Sequence, residues 1–155
     1  MSDATEVQDG SAALTQLGSV LAEAGAASLN GRREQMAEGL LRAALTKWED
    51  PAVQPQLLGA LRAAASGEEG AARMREFMSS QLFRQLGDSL DTAPMDIDQV
   101  AKVLGVPPVN INAAQAQVWG VGILRYVLRM EPIASASVDE VVELVAPTIQ
   151  RYLVG

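Results

Sequence analysis

The chain contains neither cysteine nor histidine. Without cysteine there is no disulfide, no thiolate nucleophile and no thiolate ligand for a metal. Without histidine it lacks the commonest general base and the commonest metal-binding side chain. Positive charge is also scarce: no lysine or arginine occurs before Arg32, and the net charge is −7. A surface of that sign repels phosphate backbones, so direct nucleic-acid contact is not expected. Residues 1–10 (MSDATEVQDG) lack the basic start and apolar core of a secretion signal. The longest uncharged run, 103–124, holds Pro107-Pro108, Asn110, Asn112 and two glutamines, which argues against a membrane span. The expected setting is the cytoplasm.

Catalytic patterns are missing as well. No glycine-rich phosphate loop and no nucleophile–base pair is visible, so no enzyme is expected. The acidic pairs Glu68-Glu69, Asp96-x-Asp98 and Asp139-Glu140 each begin a predicted helix, where carboxylates favour the positive dipole end. Neither a metal nor a cofactor is implied.

What is present is a chain of 155 residues, 48% apolar, enough for one domain with a substantial core. Residues 1–11 read as a polar tail and 12–29 as a weak helix diluted by glycine, so 1–30 forms an acidic N-terminal segment. Residues 31–155 form the helical domain proper. A helix is predicted over 32–49, with Met36, Leu40 and Trp48 on one side. Asp50-Pro51 reads as a cap and first helical position for a helix to about Ala65. Ser66 and Glu69 spell a capping box, opening a helix to about Leu90 with Met74, Phe77, Met78, Leu82 and Leu86 in a stripe. Asp96 with Gln99 caps a short helix ending at Gly105. Asn112 with Gln115 begins the most apolar helix, 112–130, which Glu131-Pro132 ends. Ser137 with Glu140 opens the last helix, with Val138, Val141, Val142, Val145 and Ile149 on one face and a kink expected at Pro147. No strand pattern competes, and the fold class is all-α.

The helix over 112–130 has two unlike sides. Ala113, Ala116, Gly120, Ile123, Val127 and Met130 step by three or four, the spacing of a close-packing seam. The seam reads either as a homodimer contact or as tight packing within the chain. The dimer reading adds the valine face of the last helix (Val138, Val141, Val142, Val145, Ile149), which would otherwise be a second unpaired apolar surface. The other side carries Gln115, Trp119, Gly122 and Tyr126. With Met36, Leu40, Met74, Phe77 and Met78 these residues line a pocket for a small apolar effector, or fill the core. Arg125, Arg129 and Arg151 are expected at helix ends near Glu131, Asp139 or Glu143, facing solvent. Residues 97–118 carry a turn like that of a helix-turn-helix, but no positive charge follows until Arg125, so a connector is the simpler reading.

Residues 119–153 resemble the end of tetracycline-repressor-like regulators. The matching pieces are Gly122, Arg125-Tyr-Val-Leu128, Glu131-Pro132, Ala134-Ser135, Ser137, Glu140 and Ala146-Pro-Thr-Ile-Gln-Arg-Tyr-Leu153. Upstream, Trp48-Glu-Asp-Pro51, Pro55-x-Leu-Leu58 and Arg75-Glu-Phe77 are similar to the same group. The resemblance implies a regulatory domain whose last two helices pair with a second copy as a four-helix bundle, with the earlier helices around an effector pocket. Residues 1–31 do not resemble the basic DNA-reading head of such regulators. The expectation is therefore the sensing and dimerising half alone, or a headless interaction module that pairs without a ligand.

Overall fold

A computed structural model describes the fold of residues 2–155, with side chains from Gly10 onward. Helices follow one another throughout, and no strand occurs among the described residues. In order they are α1 (Ser2–Asn30), α2 (Met36–Trp48), α3 (Gln54–Ser66), α4 (Glu68–Glu76), α5 (Leu82–Ser89), α6 (Ile97–Leu104), α7 (Pro108–Gly122) and α8 (Val138–Leu153). No helix among the described residues is long and apolar enough to cross a membrane.

The two most polar cap signals act where the spacing puts them. Asp96 accepts from the Gln99 backbone N–H, and the Gln99 side chain accepts from the Asp96 backbone N–H, each at 2.9 Å. Ser137 accepts from the Glu140 N–H at 3.1 Å and opens α8. Two other expected caps are displaced. Ser66 ends α3, its hydroxyl bonded back to the Arg62 carbonyl, and Gly67 takes the cap position of α4. Asp50 caps a turn over residues 51–53 through the Ala52 N–H, so α3 begins three residues later than Pro51 suggested, at Gln54.

Helix α1 is the largest departure from expectation: the segment read as tail and weak helix is one continuous helix from Ser2. Three glycines and several small polar residues weaken its local propensity, and packing adds to its stability. It lies along α2, α3 and α5, burying Ala13, Leu14, Leu17, Ala22 and Ala26.

Helices α4 and α5 are one rod interrupted by a π turn at Phe77–Gln81, where the Leu82 N–H reaches back five residues to the Phe77 carbonyl. Such a turn adds one residue and re-aims the side chains around it. A second π turn, Ile123–Val127, ends α7 before residue 130, and Arg129 follows at a left-handed φ of 50°. At its other end, α7 begins four residues before Asn112, on Pro107-Pro108. Proline at the first helical position has no N–H to leave unsatisfied. Asn112 instead donates to the Gln115 side chain at 3.2 Å.

Helix α8 runs unbroken through Pro147 and antiparallel to both α7 and α2. Asn110 of α7 donates to the Tyr152 carbonyl at 3.1 Å, and Arg42 of α2 pairs with Asp139 at 2.6 Å. Gln150 performs a capping task across the fold. Its Oε1 accepts from the Ala37 N–H (2.9 Å) and its Nε2 donates to the Arg33 carbonyl (2.7 Å). The first turn of α2 has no local side-chain cap, so a glutamine from α8 satisfies it.

Two buried clusters result. One gathers Met36, Leu41, Leu45, Phe83, Val100, Ile111, Val141, Val142 and Ile149; the other gathers Leu14, Leu17, Trp48, Val53, Leu57 and Phe77. Val118 and Tyr126, from the end of α7 and its π turn, pack against both.

Candidate functional site: an apolar cavity beside a buried arginine

The first cluster is not filled. A half-open cavity of about 120 Å³ is set among its residues and those of the second cluster, walled by Leu21 and Gly25 of α1 and Met36 and Leu40 of α2. Phe77 and Met78 of the π turn, Val100 and Leu104 of α6, and Ile149 and Leu153 of α8 close other sides. Helix α7 supplies Ile111, Ala114, Gln115, Val118 and Trp119. Only Gln115 and Trp119 among the lining side chains carry a polar atom, and none is ionisable.

Gln115 is already occupied. Its Nε2 donates to the Met78 carbonyl at 2.8 Å, and its Oε1 accepts from Asn112. The carbonyl it takes belongs to the π turn, so this amide ties α7 to the irregular stretch of the α4–α5 rod. Of the nine residues expected to line a pocket, six do so: Met36, Leu40, Phe77, Met78, Gln115 and Trp119.

The other three lie elsewhere. Met74 packs against the second cluster and is absent from the cavity lining. Gly122 faces Trp48 so closely that a Cβ there would stand 2.9 Å from the indole Nε1 and 3.0 Å from Cε2. Tyr126 is stacked on Trp48, ring centroids 5.4 Å apart and planes 11° from parallel. Trp48 also meets Trp119 edge-on at 6.1 Å, so an aromatic row leads from the cavity wall to Tyr126. Helical spacing put Trp119, Gly122 and Tyr126 on one face, and all three meet Trp48, which is 1% exposed.

Beyond Tyr126 lies a buried charge. Arg125 is 7% exposed, and its guanidinium donates to the carbonyls of Ile133 (2.8 Å) and Ala136 (2.7 Å) and to Glu49 (3.2 Å). The Tyr126 hydroxyl donates to the same Glu49 oxygen at 2.7 Å. Burial and the hydrogen bond to Glu49 push the Tyr126 phenol up to about 12, with Arg125 acting in the opposite direction. Arg125 is therefore not the solvent-facing helix-end residue expected. Residue 125 points inward because the π turn re-aims it, and it holds the connection between α7 and α8. Glu49, its partner, was not singled out as functional. The available signal was that Trp48-Glu49 and Arg125-Tyr126 both belong to the pieces carrying the family resemblance.

Residues 34–153 match the family model described as "Tetracyclin repressor-like, C-terminal domain". The chain belongs to this family. No curated protein and no solved structure gives a significant match. A tetracycline-repressor-like C-terminal domain is a regulator domain, and the matched segment takes in α2 to α8, including every wall of the cavity except α1.

In this regulator domain the residues expected at a dimer contact divide into two groups. The α7 seam is uncovered: Ala116 and Val127 are exposed, Ala113 and Ile123 half-buried, and a Cβ at Gly120 would meet nothing within 4 Å. The valine face of α8 is different. Val141, Val142 and Ile149 are buried in the chain's own core, and Ile149 reaches the cavity wall, so these three cannot form an outer surface. Val138 and Val145 lie at the margin, half-buried. The apolar side chain that α8 does expose is Leu144, 75% accessible. The turn between α6 and α7 serves as a connector, with Val100, Leu104, Ile111 and Ala114 directed to the cavity.

Proposed function

We propose that this regulator domain senses a small apolar effector in the cavity and pairs with a second copy through the outer faces of α7 and α8. The observation that carries the sensing reading is the cavity itself: about 120 Å³ of unfilled space lined almost wholly by hydrocarbon. Protein interiors are ordinarily close-packed, and an unfilled apolar space forfeits dispersion contacts that a ligand restores. Pairing is supported by the uncovered seam at Ala116, Gly120 and Val127 together with exposed Val109 and Leu144. A glycine with open space beside it lets a second helix approach closely, and a two-fold axis would bring the same seam from each copy together.

Where such a domain is joined to DNA-reading heads, an effector acts only through a difference in its affinity for two arrangements of the dimer. The aromatic row runs from Trp119 on the cavity wall through Trp48 to Tyr126, next to the Arg125 clamp on the connection between the two pairing helices. They are the parts whose arrangement a ligand would bias.

Native mass spectrometry of the chain purified without added ligand tests both halves of the proposal. A dimer carrying a small molecule is the expected result, and denaturing analysis would give the mass of the effector. A monomer at micromolar concentration would refute the pairing. An empty dimer that no apolar compound stabilises would favour a second reading, an interaction module that pairs without a ligand, for which the open seam alone suffices.

A further inference from the structure

The cavity's chemistry narrows its ligand further than "apolar", and this step rests on the sensing reading proposed above. Among the described residues no ionisable side chain lines the space. The nearest buried cation in the fold, Arg125, is outside the lining and committed to Glu49, Tyr126 and two carbonyls. Gln115, the one amide on the wall, is engaged through Nε2 by Met78 and through Oε1 by Asn112. A ligand's charge would thus find no counter-charge, and a ligand's polar group would meet only the Trp119 indole N–H and the remaining bonding capacity of the Gln115 amide. Size sets the other bound. Dry protein cavities of roughly 150 Å³ accept benzene, and this one is about 120 Å³. Its walls include the thioethers of Met36 and Met78, side chains that adjust to small differences in shape.

We infer that the cavity selects an uncharged, hydrocarbon-like ligand of about the size of benzene or toluene, without an ionised group. Shape and dispersion select it, and ionised analogues of the same size are rejected by desolvation.

The test is titration calorimetry of the full chain with benzene and toluene against benzoate and benzylamine, repeated on Ala114→Leu and Val118→Phe. Two variants guard against disturbance of α7; circular dichroism and the thermal midpoint identify a variant that retains the fold. Toluene is expected to bind with Kd on the order of 0.1–1 mM, benzoate and benzylamine at least ~100-fold more weakly. A folded cavity-filling variant is expected to lose toluene affinity by ~10-fold or more. Benzoate or benzylamine binding as tightly as toluene, and blocked by the same variants, would overturn the ligand class while leaving the sensing cavity standing. Toluene binding unchanged in a folded variant would overturn the site. If no probe of either kind binds, the inference and the sensing reading fail together.

Discussion

Replacing Gly120 with leucine separates assembly from folding. A Cβ at this position meets no heavy atom within 4 Å, so the monomer has room for the side chain. Leucine is favoured over glycine in a helix interior by roughly 0.6–1 kcal/mol, so the monomer should gain slightly in stability. In the proposed dimer the two-fold axis brings Gly120 of each copy into the same close seam. Inserting a side chain into a packed seam costs ~1–3 kcal/mol, hence about 2–6 kcal/mol for the two copies. At about 1.4 kcal/mol per tenfold, dimer affinity should fall by roughly 30-fold to 10⁴-fold. Sedimentation velocity across a concentration series reads the dissociation constant, and urea unfolding under monomeric conditions reads the fold. An unchanged dissociation constant in a folded Gly120→Leu chain would show that the seam is not the contact. A less stable monomer would show instead that the space beside Gly120 is not open.

Two residues along the same helix, Gly122→Ala should behave oppositely to Gly120→Ala. Its Cβ would stand 2.9 Å from Nε1 of the buried Trp48, so a loss of about 1–2 kcal/mol is expected despite the better helix propensity; equal urea midpoints for the two variants would contradict this. In a Tyr152→Phe background the remaining phenol, Tyr126, should ionise at about 12 instead of the ordinary 10.0, read as phenolate absorbance. The folded state then holds this proton more tightly than the unfolded chain, so its stabilising contribution is complete below pH 10 and is lost as pH rises towards 12. Titration near 10 would mean that in solution the phenol is neither buried nor bonded to Glu49. Arg125→Met should cost on the order of 3 kcal/mol by removing the buried charge's bonds to Ile133, Ala136 and Glu49. It should also speed trypsin cleavage after exposed Arg129; Glu49→Gln, which keeps an acceptor oxygen, should lose less than ~1.5 kcal/mol. Equal losses in the two variants would place the clamp's strength in the ion pair instead of in the carbonyl contacts.

Much of this fold is legible one residue at a time. The periodicity that predicts helices at 32–49 and 97–105, and the caps at Asp96 and Ser137, depend on neighbours three or four positions away. Those distances are set inside each helix, so the all-α class and the approximate borders follow from the sequence, as does the membership that the pieces in 119–153 signal. The long α1 was not legible for the converse reason: its glycines, serines and threonines weaken it locally, and the cover that offsets them comes from α2, α3 and α5.

What tertiary structure alone decided is which neighbour covers each face. Periodicity groups Val138, Val141, Val142, Val145 and Ile149 on one side of α8, but an apolar stripe suits a partner subunit and the chain's own core equally well. The antiparallel packing of α2 and α7 on α8 sends Val141, Val142 and Ile149 inward and leaves Leu144 outside. Likewise Gly120 and Gly122 are the same residue in the same helix, one open and one pressed against Trp48 from a helix more than seventy residues earlier in the chain. The π turn at Ile123–Val127 turns Arg125 inward, against the expectation for an arginine at a helix end. A local pattern determines that a side chain belongs to a face. Whether that face meets core, cavity, partner or water depends on contacts between distant segments, and these arise only when the whole chain packs.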